Sequence, residues 1–296
     1  RRAFLCGVDN FTNQSYEHRR GWVESKLLAL ANVFCIDVCA YAVMSNHTHL
    51  VLYVDDKKAK RLTDKAIIQR WHRLCKGTVL TNKYLQGEEL SKIEWLFLNE
   101  TINEYRERLA NISWFMRLLN EDIARRANKE DNCTGRFWEG RFKSQALLDE
   151  AALIACMAYV DLNPIRAKAA TTPETSEHTS VKIRIESATA GKQPKQLLRF
   201  SGKPKKHMAK GLPFALKSYL ELVELTGRCI REGKAGYIES STLPLLQRVN
   251  ITPENWLKLT TQFSRVFHGA VGRPASHEGY CEHLNRKRRA NVSNCE

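Results

Sequence analysis

The 296-residue chain predicts an α+β protein rich in helix. Three observations point there. Two runs rich in β-branched and aromatic residues, 33–44 and 49–54, are separated by a short polar break. Apolar residues recur at helical spacing on both sides of that pair. Beyond residue 213 two further amphipathic stretches give a mainly helical C-terminal region. With 43% apolar and 27% charged residues the composition is globular, and the length allows one large domain or two smaller ones.

The elements follow in order. Residues 16–32 read as a helix, with Trp22, Val23, Leu27, Leu28, Leu30 and Ala31 at helical spacing. Residues 33–44 read as a buried strand. Ser45 and Asn46 break it, and residues 49–54 read as a second strand antiparallel to the first. Residues 57–76 return to helix, with Ile67, Ile68, Trp71 and Leu74 on one side and Gly77 as its stop. Residues 78–98 are mixed and suit an insertion or lid. A long helix is expected over 99–128, carrying Ile102, Tyr105, Leu109, Ile112, Phe115, Met116 and Leu119, and then a polar turn over 130–135. Residues 136–148 form a basic-aromatic loop leading into a strand. Asp149 caps a helix that runs to about Asn163, where Pro164 stops it.

Composition then shifts. Residues 171–212 are rich in Thr, Ser, Pro, Gly and Lys and suit a linker or extended segment. Residues 216–232 and 252–267 are amphipathic helices within a helical C-terminal region, 213–296. The tail from Gly269, with Arg286, Lys287, Arg288 and Arg289, is expected to fray.

A net charge of +15 favours an anionic partner, nucleic acid first and a membrane surface second. No apolar run reaches ~18 residues, so no ordinary membrane-spanning helix is expected. The opening Arg1-Arg2 segment lacks a signal peptide's apolar core and an initiator Met, so residues upstream of Arg1 are expected. The nine cysteines are odd in number and contain no C-x-x-C pair. Reduced thiols and a cytoplasmic location follow, with Cys35, Cys39 and Cys156 as small core residues.

Three segments could carry chemistry. In His47-Thr48-His49, residues i and i+2 of a strand share a face, so two imidazoles converge as a divalent-metal site requires; two turn histidines are the plainer alternative. Tyr159 and Asn163 are i and i+4 neighbours on a helix. The carboxamide suits a hard cation and the phenol can serve as a nucleophile, although a packing tyrosine and an ordinary helix stop fit the same letters. In residues 135–143, three cations interleave with three aromatics. That pattern fits phosphate contact and base stacking, and equally a loop with buried rings and solvated charges.

Taken in order, these segments resemble the single-tyrosine HUH transposases of the IS200 type, and within them the REP-associated tyrosine transposases. The resemblance rests on Ala42-Val43-Met44-Ser45-Asn46-His47-Thr48-His49-Leu50-Val51, on Gly135-Arg136-Phe137-Trp138-Glu139-Gly140-Arg141-Phe142-Lys143-Ser144, and on Tyr159-Val160-Asp161-Leu162-Asn163-Pro164-Ile165-Arg166-Ala167. It covers residues 1–170. Thr48 stands where such enzymes usually carry a hydrophobic residue, and the family's first strand is expected before Arg1.

The resemblance implies a ferredoxin-like or RRM-like antiparallel sheet with helices on one face. It also implies a catalytic domain over 1–170, and Mg²⁺ or Mn²⁺ held by His47, His49 and Asn163. Tyr159 would be the nucleophile that cuts single-stranded DNA beside a hairpin through a 5′-phosphotyrosine. Arg136, Arg141, Lys143 and Arg166 are the candidates for holding DNA. Neutral imidazole is the ligand form, so activity is expected to fall below pH ~6. The protein would work as a monomer or a homodimer. The alternatives are a domesticated hairpin-binding protein that no longer cuts, and a nuclease in which water attacks.

Overall fold

A computed structural model describes residues 5–9, 11–202, 210–232 and 243–284. The expectations for Arg1-Arg2, for Arg286 to Arg289 and for Cys295 lie outside the described residues. The protein is α+β. It has a two-stranded antiparallel sheet and thirteen helices among the described residues. The chain divides into two compact units: Arg1–Val38 with Leu52–Gly140, and Cys39–Val51 with Arg141–Glu296.

The sheet pairs β1 (Ile36–Val43) with β2 (Thr48–Val54). β1 is buried at every position but Asp37, as its otherwise apolar run requires. The Met44 N–H donates to the His47 carbonyl at 2.9 Å and closes the turn.

In the first unit, α1 (Arg19–Val33) buries Arg19, Val23, Leu27, Leu30 and Val33, a stripe with a period of three to four. It packs on α6 (Ile112–Glu130). The fully buried Arg19 guanidinium pairs with Glu130 at 2.7 Å and with Asp131, and lies 4.2 Å from the Tyr16 ring centre. A second core joins Ile67, Ile68 and Trp71 of α3 (Asp64–His72) to Leu98, Ile102, Tyr105 and Leu109 of α5 (Lys92–Leu109).

Capping divides this unit more finely than apolar periodicity does. The helix expected over 57–76 is two, α2 (Asp56–Arg61) and α3. Leu62 is extended, and the Thr63 side chain accepts the Ala66 N–H to start α3. Gly77 does not end α3, which stops at His72. It passes so close to the His72 ring that a Cβ would lie 2.1 Å from Nε2. The segment expected as an insertion or lid holds α4 (Val79–Gln86), closed by Gly87 at φ 78°, and the first turns of α5, started by a Ser91–Glu94 capping box. The long helix expected over 99–128 is broken at Asn111, whose side chain caps α6.

The second unit is built round α7 (Glu150–Asp161). The helix is capped by Asp149 and is apolar on nearly every side, the signature of a helix inside a core. Pro164 does not terminate the chain's helical path. It sits in the first turn of the short α8 (Asn163–Arg166), where its missing N–H is not needed. α10 (Leu216–Glu232) packs on α8, and α12 (Pro253–Val266) packs on α7 and α11 (Leu243–Arg248). The tail expected to fray forms α13 (Pro274–His283) before the described residues end.

Residues 171–212 are not a spacer. They contain α9 (Ser180–Thr189) and contribute Val181, Leu197, Phe200 and Leu212 to the buried interior. Several of their polar residues read as loop but are buried and bonded to distant parts of the chain, although Arg184 Nε and Nη1 have no hydrogen-bond partner. Ser180 accepts the Tyr41 N–H at 2.9 Å and donates to Asp161, and Arg184 donates to the Cys39 carbonyl at 2.8 Å. Residues 136–148 run irregularly, joined to Val271 by a single parallel bridge at Leu147, instead of entering a strand.

Candidate active site

The hairpin turn and α7 bring His47, His49 and Tyr159 together within one unit, while Asn163 opens α8. His47 precedes β2 and His49 lies in it, so their side chains share a face. The two Nε2 atoms are 3.0 Å apart. His47 Nδ1 lies 2.5 Å from Asn46 Oδ1, which orients that ring. The His49 ring meets the Tyr159 ring edge-on, with centroids 5.6 Å apart.

Burial sets the charge state of the pair. It lowers the His47 pKa, and the Arg166 cation adds to the effect. His49 is pushed down to about 4 by burial first, then by His47 and Arg166. Both imidazoles are therefore neutral near pH 7, the form that ligates metal.

Tyr159 is held from several directions. It is 7% exposed. The Arg166 guanidinium lies 4.0 Å from its ring centre, and the Phe263 ring is 5.8 Å away. Its hydroxyl and the Ser264 hydroxyl form a hydrogen bond of 2.9 Å. Arg166 itself donates to the Thr260 carbonyl at 3.3 Å, and burial lowers its pKa while Tyr159 opposes the shift.

The residues fit a hard divalent ion. Two nitrogens each ~2.1 Å from one octahedral ion, at a right angle, are about 3.0 Å apart. That matches the imidazole spacing. Asn163 is 4% exposed, and its Nδ2 has no hydrogen-bond partner. Rotating the carboxamide by half a turn puts its oxygen there instead, a hard donor. Among the described residues no three His, Cys, Asp or Glu side chains cluster as metal ligands, so a third ligand from the protein would be of another type.

The four cations expected to hold DNA divide. Arg166 is stacked on Tyr159 and tied to α12, so it belongs to the setting of the phenol. Arg141 and Lys143 are exposed on the irregular segment that precedes α7. In the other unit Arg136 is exposed, its Nε donating to the Trp138 carbonyl at 2.9 Å. Of the three neighbouring rings Phe137 is buried, whereas Trp138, whose Nε1 donates to the Asn120 carbonyl at 2.8 Å, and Phe142 are half-buried.

Thr260, Phe263 and Ser264 of α12 escaped the sequence reading. An amphipathic helix carries no mark of which residue its hydroxyls face, and Ser264 lies 105 positions from Tyr159. Compared with known protein families, curated proteins and solved structures, the chain matches none.

Among the described residues no helix is long and apolar enough to cross a membrane.

Proposed function

We propose that the chain is a metal-dependent endonuclease and strand transferase for single-stranded DNA, of the single-tyrosine HUH type, acting beside hairpins. The observation that carries this is the meeting of three rings: two imidazoles whose nitrogens are 3.0 Å apart, with the Tyr159 phenol packed edge-on against the nearer one. The order of the three motifs and the +15 charge, suited to a polyanion, support it. In this reading β1 and β2 belong to a ferredoxin-like sheet, and DNA contacts come from Arg136, Arg141 and Lys143.

His47, His49 and Asn163 would hold Mg²⁺ or Mn²⁺, which when bound draws charge from a phosphate oxygen and eases nucleophilic approach. Tyr159 loses its phenolic proton to solvent and its oxygen attacks phosphorus. The new O–P bond forms as the P–O3′ bond breaks, and the leaving 3′ oxygen takes a proton. The result is a 5′-phosphotyrosine and a free 3′-hydroxyl. Reversal by another 3′-hydroxyl joins strands without ATP, because one phosphodiester replaces another. Arg166, its guanidinium 4.0 Å from the ring centre, places a cation beside the attacking group.

The test is cleavage of a single-stranded hairpin oligonucleotide in Mn²⁺. The wild-type chain cuts it and His47→Ala does not, while both bind the hairpin. Binding without any cleavage by the wild type would indicate the domesticated hairpin binder instead. Cleavage without a denaturation-resistant adduct would indicate attack by water.

A further inference from the structure

We propose that Ser264 is the positioning residue for the Tyr159 hydroxyl, which makes α12 part of the reaction centre; this rests on Tyr159 being the nucleophile. The starting point is a contrast within one helix. α12 carries three hydroxyl residues, Thr260, Thr261 and Ser264. Hydroxyls inside helices commonly bond back to the carbonyl four residues earlier. Thr260 does so to Trp256 at 2.9 Å and Thr261 to Leu257 at 2.7 Å. Ser264 does not. The carbonyl it would use, that of Thr260, accepts from Arg166. The Ser264 hydroxyl turns outward to Tyr159 Oη.

The local backbone suits that departure. Gln262 is non-helical at φ −127°, ψ 15°, which breaks α12 two residues before Ser264. Residue 264 is exposed although the phenol it meets is buried, so the bond lies where solvent and a DNA strand can arrive. Arg166, Phe263 and His49 already confine the Tyr159 ring. Arg166 also hydrogen-bonds the phenol from α8, and Ser264 adds a second partner from α12 that constrains the hydroxyl's direction.

The chemistry gives the bond a direction. In the neutral pair either oxygen can donate. Once the phenolic proton has left, the phenolate has no hydrogen to give, so within this pair Ser264 must donate to the phenolate oxygen. Ser264 then holds one lone pair of the phenolate and leaves another for attack on phosphorus. Charge-assisted bonds of this kind are roughly twice as strong as neutral ones, so the contact tightens as the nucleophile forms.

The experiment measures single-turnover adduct formation on hairpin DNA in Mn²⁺, together with hairpin affinity, for the wild type, Ser264→Ala and Ser264→Thr. Ser264→Ala should slow the chemical step by about tenfold to a hundredfold with hairpin affinity unchanged, and Ser264→Thr should recover most of the rate. Equal rates for Ser264→Ala and wild type overturn the proposal, as does a faster Ser264→Ala, which would make the bond a restraint. A Ser264→Thr as slow as Ser264→Ala also overturns it, because packing and not the hydroxyl would then matter. A wild type that forms no adduct overturns the nucleophile assignment itself. The contact is also read without activity, from the fluorine resonance of 3-fluorotyrosine at 159, assigned with Tyr159→Phe. It should move in Ser264→Ala and return in Ser264→Thr; a resonance that stays still in Ser264→Ala rejects the hydrogen bond.

Discussion

The Nε2 atoms of His47 and His49 stand 3.0 Å apart where the β1–β2 turn enters β2. Neutral nitrogens can share one proton at that separation, or one cation. Removing either ring should abolish tight Mn²⁺ binding, read by electron paramagnetic resonance of the free ion. The pH dependence follows from burial. With His49 pushed down to about 4, protons compete with the metal only at lower pH. Mn²⁺ affinity should be lost only below the ~6.5 of an ordinary imidazole, since burial lowers both rings, with the His49 part of the loss falling toward about 4. Half-loss near pH 6.5, or wild-type binding by His49→Ala, would contradict this.

Asp161 follows Tyr159 by two positions but serves the interior. It accepts from Ser180 and, at 2.6 Å, from Tyr219. Burial pushes its carboxyl up to about 6, while Ser180, Tyr219 and Arg184 pull it down. A carboxyl whose folded pKa is raised stabilises the fold most below its unfolded value of 3.8, and loses that contribution as pH rises to about 6. Asp161→Asn should remove this loss, so its stability relative to wild type improves from about pH 4 to about pH 7. Asp161→Ala should cost about 2–4 kcal/mol, since two buried hydroxyls lose their acceptor. Urea denaturation across that range decides; parallel pH profiles for wild type and Asp161→Asn would refute the first expectation.

Arg19 joins α1 to the end of α6 through Glu130 and Asp131. Its side chain is fully buried, whereas the two carboxylates keep partial solvent contact. Arg19→Ala should therefore destabilise the protein by about 2–4 kcal/mol, through lost packing and a broken charge cluster. Arg19→Lys should recover only part of this, because an ammonium cannot reproduce the fork. A change below about 0.5 kcal/mol in thermal or chemical denaturation would count against the clamp.

Much of this was legible in the sequence, for identifiable reasons. The hairpin shows because a buried strand and its neighbour are written as two apolar runs around Ser45-Asn46. The convergence of His47 and His49 follows from strand periodicity, whereas the approach of Tyr159 was implied only by the family resemblance. One group of failures comes from polar residues whose partners are distant. Thr179, Ser180 and Arg184 make residues 171–212 look like loop, yet all three are buried. Ser264 carries no local signal, since its bond to Tyr159 exists only in the folded chain. The breaks at Leu62 and Asn111 were hidden because apolar spacing runs on through them, and only the caps mark the restart.

The most direct measurement is mass spectrometry of the denatured, protease-digested product of the chain with a hairpin oligonucleotide in Mn²⁺. The account predicts nucleotide mass attached through a 5′ phosphate to Tyr159, and no such peptide from Tyr159→Phe. Attachment at Tyr105, Tyr41 or Tyr53, or an adduct that persists in Tyr159→Phe, would contradict it.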